Sequence, residues 1–269
     1  MPGASTISTQ AVLDRTSETL ASGADGARLG TELFSFATTL DEQHALRRAL
    51  TEPAAPAAAK TALIRSLLGG KAGDETVSVV GEAVGRRWTK SRDLADALEE
   101  ASVTAHVAVA DGRGELDTVE DNLFRFGRIA EGSQGLRDVL TDAAAPAAGK
   151  RALVADLVGT KVDATTRTLL EQAVTGRRRS LVSTLALYQR LAAARRDSMV
   201  ATVWVAAPLT EEHKQRLAEA LSEQHQRPMH LNVVVDPSLL GGARVAVGDE
   251  VLDSTVESRL KQAQRRLER

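Results

Sequence analysis

Up to Arg196, apolar residues recur at spacings of three and four; beyond it they alternate or run together in short blocks. The first rhythm predicts amphipathic helices. Val77, Val80 and Val84 fall on one helical face, as do Leu170 and Val174, while Leu63 with Leu67, and Leu153 with Leu157, sit one turn apart. Ser91 to Ala110 holds no breaker and reads as one continuous helix. The pattern is interrupted at Pro56 and Pro146 and stopped by Gly69-Gly70. Asp117 and Glu120 have the spacing of N-cap and N3 in a capping box ahead of Leu123-Phe124.

The helical part repeats itself. Leu33-Phe34-Ser35-Phe36 returns as Leu123-Phe124-Arg125-Phe126, Leu46-Arg47 as Leu136-Arg137, and Leu50-Thr51 as Leu140-Thr141. Pro56 and Lys60 return as Pro146 and Lys150, and Ala83-Val84 with Arg87 as Ala173-Val174 with Arg177. The offset stays at 90 residues, and 22 of the 58 pairs from 31/121 to 88/178 are identical without a gap. That is duplication of a unit too long for a solenoid repeat and right for a small helical bundle.

The second rhythm predicts a small α/β domain. Met199–Ala206 is β-rich with little polar alternation, as in a strand covered on both faces. Thr210 is the predicted N-cap of a helix to about Gln224. Leu231, Val233 and Val235 alternate before Asp236-Pro237 ends the strand, and Gly241-Gly242 turns the chain into Ala243–Val247, with a short strand around Val251. A last helix is expected to carry Val256, Leu260, Ala263 and Leu267 on one stripe. The expected fold is α+β and mostly α: a flexible tail over 1–8, one bundle over 9–100, a second over 101–195, and an α/β domain over 196–269.

Composition narrows the chemistry. Aromatics make up only 3% of the chain, so the cores are Ala, Leu and Val. There is no cysteine, which excludes disulfides, thiolate metal sites and cysteine nucleophiles. A net charge of −2 gives no global pull toward nucleic acid or anionic lipid. No apolar run approaches the roughly 20 residues of a membrane span. Gly69-Gly70-Lys71 lacks the spacing of a phosphate-binding loop, and the histidines lack metal-ligand spacing. No nucleophile elbow is present. The basic clusters Arg86-Arg87 with Lys90 and Arg92, and Arg177-Arg178-Arg179, suit solvated helix ends or, as the alternative, contact with an acidic partner surface. Phe34, Phe36, Phe124 and Phe126 are expected in the bundle cores. No catalytic, cofactor or metal site is expected.

Val235-Asp236-Pro237-Ser238-Leu239-Leu240-Gly241-Gly242-Ala243-Arg244-Val245-Ala246-Val247-Gly248 resembles the signature of F-type ATP synthase delta subunits, the family of the oligomycin-sensitivity-conferring protein. Asp253-Ser254-Thr255-Val256 resembles that family's closing strand-to-helix segment, and Thr202–Leu209 the opening of its C-terminal domain. Ala246 departs from the charged or amide residue usual there. An unrelated helical adaptor, the alternative reading, has no reason to carry both segments. The doubled bundle, rich in Ala and Arg, looks like the actinobacterial branch.

The resemblance implies a non-catalytic stator subunit on the cytoplasmic face of the cell membrane, without direct membrane insertion. A helical bundle would bind the alpha subunit's N-terminal helix, and the C-terminal domain the C-terminal region of the b-subunit stalk. In the family the alpha helix docks between the first and fifth helices of the bundle. By position the fifth helix carries Val77, Val80 and Val84 in the first copy, and Leu169, Leu170 and Val174 in the second. The second copy is favoured because it directly precedes the C-terminal domain.

Overall fold

Helices occupy the chain as far as Asp197 and strands begin at Met199 in the computed structural model, which describes residues 3–142, 144–175, 180–197, 199–225, 229–237, 239, 241–247 and 250–253. The fold is α+β and mostly α. It divides into two units, Met1–Arg195 with two hydrophobic cores and Arg196–Arg269 with one.

In the first unit the helices are α1 (Ala4–Ala21), α2 (Gly26–Glu42), α3 (His44–Thr51), α4 (Ala57–Leu68), α5 (Asp74–Gly85) and α6 (Ser91–Gly112). They continue as α7 (Leu116–Gly132), α8 (Gln134–Thr141), α9 (Ala147–Val158), α10 (Ala164–Ala173) and α11 (Leu181–Asp197). Helix α1 starts at Ala4, so residues 4–8 of the expected flexible tail are instead its first turns, while 1–2 lie outside the described residues. Ser5 Oγ donates to Asp93 at 2.5 Å and Ser8 Oγ to the Arg87 carbonyl at 2.6 Å, which ties this end to the α5–α6 connection. The expected capping box at Asp117 and Glu120 is displaced too: α7 already begins at Leu116, leaving Asp117 inside its first turn.

The 90-residue offset carries from element to element: α2 with α7, α3 with α8 and α4 with α9 match end to end, and α5 and α10 start in register. Shifted by 90, α1 spans 94–111 and α11 spans 91–107; both lie within α6. One helix thus closes the first bundle and opens the second. Leu94, Ala97, Leu98, Ala101 and Ala105 enter the first core, and Val103, Val107 and Ala110 the second. No residue from Leu94 to Ala110 is exposed. The expected boundary at 100/101 falls inside this shared helix.

Two apolar expectations fail. Helix α4 buries Lys60 and Ile64 and α9 buries Lys150, Val154 and Val158, while Leu63 and Leu157 are exposed. A lysine stem lies along the apolar stripe in place of a leucine, which alternation of residue types cannot reveal. Phe34, Phe36 and Phe126 are buried, but Phe124 is 57% exposed.

The second unit holds β1 (Met199–Val205), α12 (Glu211–His225), β2 (Met229–Val235), β3 (Ala243–Val247) and β4 (Glu250–Asp253) in a sheet of order β2-β1-β3-β4. β1 and β2 are parallel across α12, whereas β1 with β3 and β3 with β4 are antiparallel. Thr210 Oγ1 accepts from the His213 N–H at 3.3 Å, the cap its position predicts. Leu221 on α12 packs with Ala201, Val203, Val205, Val245 and Val247.

Candidate partner-binding faces

The apolar positions expected on the docking helices face inward. Val80, Val84, Leu169 and Leu170 are fully buried, Val174 is 1% exposed, and Val77 packs partly buried on the first core. They hold α5 and α10 in place; touching a partner would require unpacking them. The solvent edge of α5 is instead Ser78 with Glu82, one turn apart.

That edge meets α1. Arg15 donates from Nη2 to Ser78 Oγ at 2.8 Å, joining the two helices, and also pairs with Glu18 at 3.3 Å. Ile7 is 56% exposed one turn before half-buried Ala11, and Asp14, Arg15 and Glu18 are exposed. Glu82 pairs with Arg86 at the end of α5. The result is a shallow edge with a small apolar strip and a charged rim.

The second copy replaces each of these. Ile7, Ala11 and Arg15 become Ala97, Ala101 and Ala105, all buried in the first core; Asp14 and Glu18 become Thr104 and Ala108. Glu75 and Glu82 become buried Thr165 and Gln172. Gly26 and Gly30 of α2 press on this region: a Cβ at Gly26 would stand 3.1 Å from the Ala105 carbonyl, and one at Gly30 2.6 Å from His106 Nε2. Ser102 Oγ donates to the Gly30 carbonyl at 2.6 Å. Gln172 Nε2 lies 3.1 Å from His106 Nε2, so the amide donates and a neutral ring accepts, its proton on Nδ1. Burial pushes the His106 pKa down to about 4, which keeps the ring neutral. Tyr188 of α11 donates to Glu99 of α6 at 2.8 Å, both buried.

Glu32 organises the start of α5, whose N-cap is a glycine. Its carboxylate accepts from the Gly73 N–H at 2.8 Å, Thr76 Oγ1 at 2.6 Å and Arg28 Nε at 2.8 Å. Burial alone would raise this carboxyl; the hydrogen bonds from Thr76, Arg28 and Gly73 outweigh it and hold it below the usual carboxylate range. In the second copy Asn122 stands at that position, and α10 is capped locally by Asp163, which accepts from the Thr166 N–H at 2.8 Å.

In the second unit the Val235–Val247 segment builds a turn. The Asp236 N–H donates to the Val205 carbonyl at 2.8 Å, extending the β1–β2 ladder, and Leu239 N–H closes on the Asp236 carbonyl at 3.1 Å. Gly241 and Gly242 adopt φ of 139° and 84°, which side chains rarely allow. Val245 and Val247 are buried while Arg244 is exposed. Asp253 ends β4; Gly248 and Ser254, the stripe from Val256 to Leu267, and Arg177–Arg179 lie outside the described residues. Among the described residues, no group of three or more acidic or histidine side chains could hold a metal ion, and no helix is long and apolar enough to cross a membrane. His44, Arg48 and Glu52 line an open depression along α3 alone, without converging groups from other elements.

The geometry is that of a scaffold with faces. The ATP synthase delta (OSCP) subunit family matches residues 103–267, from the middle of α6 onward. Proteins named ATP synthase subunit delta are similar along most of their length: one from Streptomyces griseus is 46% identical over 244 residues, 90% of each chain. One from Streptomyces avermitilis is 44% identical over 98% of both chains, and one from Beutenbergia cavernae 43% identical over 99% of both. The chain belongs to the ATP synthase delta (OSCP) subunit family, in the form found in these actinobacteria. It is accordingly a structural subunit of an ATP-synthesising, ion-transporting complex.

Proposed function

We propose that this chain is the stator link of an F-type ATP synthase: its helical unit holds the N-terminal helix of an alpha subunit, and its α/β unit holds the C-terminal region of the b-subunit stalk, at the cytoplasmic face of the membrane. The observation that carries this reading is the division into two units with separate cores, one all-helical with an open two-helix edge and one a sheet-based domain. A bridge needs two such ends, and neither offers converging catalytic groups among its described residues. As the central shaft turns, torque on the head is resisted through the chain, so its work is mechanical.

Cross-linking of the intact, gently solubilised enzyme followed by mass spectrometry tests the two attachments. Links from the alpha N-terminus to the helical unit, and from the b C-terminus to the α/β unit, are expected. Links running to the opposite units, or to neither subunit, would overturn the assignment.

A further inference from the structure

A bundle accepts a partner helix between two of its own only where both present an unfilled edge to solvent. In the first copy α1 exposes Ile7 beside half-buried Ala11, and α5 brings half-buried Ser78 and Glu82 to the same edge, where the Arg15 side chain reaches across to Ser78. In the second copy the corresponding helices are α6 and α10. The α6 face equivalent to Ile7, Ala11 and Arg15 is Ala97, Ala101 and Ala105, and it is the face α6 inserts into the first core. On α10 the position of Glu82 is Gln172, buried and bonded to His106. From this we infer that the duplication leaves one helix-accepting groove per chain, between α1 and α5, and that the second bundle's counterpart is filled by the first bundle.

The inference deepens the stator reading and rests on it. In chain order the family match places the second bundle where the family's bundle sits, which favours that copy as the docking site. Chain order does not keep a face open, however. The second bundle gave up its groove when its first helix became the sixth of the other, and it serves as a rigid extension of the docking bundle. The occupant is an amphipathic helix of the head. Its apolar stripe meets Ile7 and Ala11, and its flanks meet charges of both signs, Asp14, Glu18, Glu75 and Glu82 among Arg15, Arg28, Arg86 and Arg87.

Isothermal titration of the full chain with a synthetic peptide of the same organism's alpha-subunit N-terminal helix reads this directly. One peptide per chain is expected. Ile7→Asp, at an exposed position, should weaken binding about tenfold or more, and Ser78→Lys should weaken it independently, each with unchanged helical circular dichroism. Thr168→Asp, the second-copy equivalent of Ser78, should leave affinity within about twofold. Two peptides per chain, or loss with Thr168→Asp and none with Ile7→Asp and Ser78→Lys, would overturn the single-groove inference. Absence of any binding to the unaltered chain would instead overturn the head-helix reading on which it rests.

Discussion

Two side chains carry much of what distinguishes the copies. Glu32 caps α5 from a neighbouring helix because Gly73 has no side chain to do so. Glu32→Ala should cost about 1 kcal/mol in urea unfolding at neutral pH, the usual range for a lost cap. The carboxyl is held below its ordinary value, so its contribution is complete above the unfolded-state pKa near 4.5 and fades as pH falls through the folded value. The gap between the unaltered chain and the variant should therefore close in acid; a gap independent of pH would mean that the charge plays no part. His106 is shifted in the same direction, by burial instead of by hydrogen bonds. Its pKa of about 4 lies below the ordinary 6.5, so between those values the unfolded chain binds a proton that the native chain does not. Stability should rise with pH across that window, and an imidazole NMR titration should find His106 uncharged at pH 6. Gly30→Ala forces the ring aside and should cost about 1–3 kcal/mol; a neutral outcome would show that α2 and α6 are not held this closely.

At the scale of elements, α6 decides how the bundles relate. Ala105 and Arg15 are repeat equivalents with opposite surroundings, one fully buried and one exposed. Ala105→Arg should cost about 3 kcal/mol or more, since a charge is placed in a packed core. Arg15→Ala should stay within about 0.5 kcal/mol. Urea titrations of the two variants compare them, and similar costs would contradict the sharing of α6. Much of this architecture was legible in the sequence. The unbroken run from Ser91 marks the long helix, the offset marks the duplication, and Gly241-Gly242 marks a turn that their positive φ values confirm. The proposed docking edge was less legible, because Val80, Val84, Leu169 and Leu170 share one period whether a stripe faces a core or a partner. The exchanges of Asp14, Arg15 and Glu18 for Thr104, Ala105 and Ala108 did carry the signal. Charged positions that turn neutral between copies report a face that has been covered, and only comparison of the copies against burial reads them. Phe124 shows the reverse: its equivalent Phe34 is buried on α2, the helix whose Gly26 and Gly30 meet α6, and identity of sequence does not carry that neighbour over.

For the molecule as a whole, the proposed work is mechanical, done by a chain held at two ends. The measurement that tests this most directly is a tagged pull-down of the chain from gently solubilised membranes of its source organism, with quantitative mass spectrometry of what accompanies it. Alpha, beta and b subunits are expected in comparable amounts, with alpha lost and b retained when Ile7→Asp and Ser78→Lys are combined. Recovery of the chain alone, or with partners that include neither alpha nor b, would contradict it.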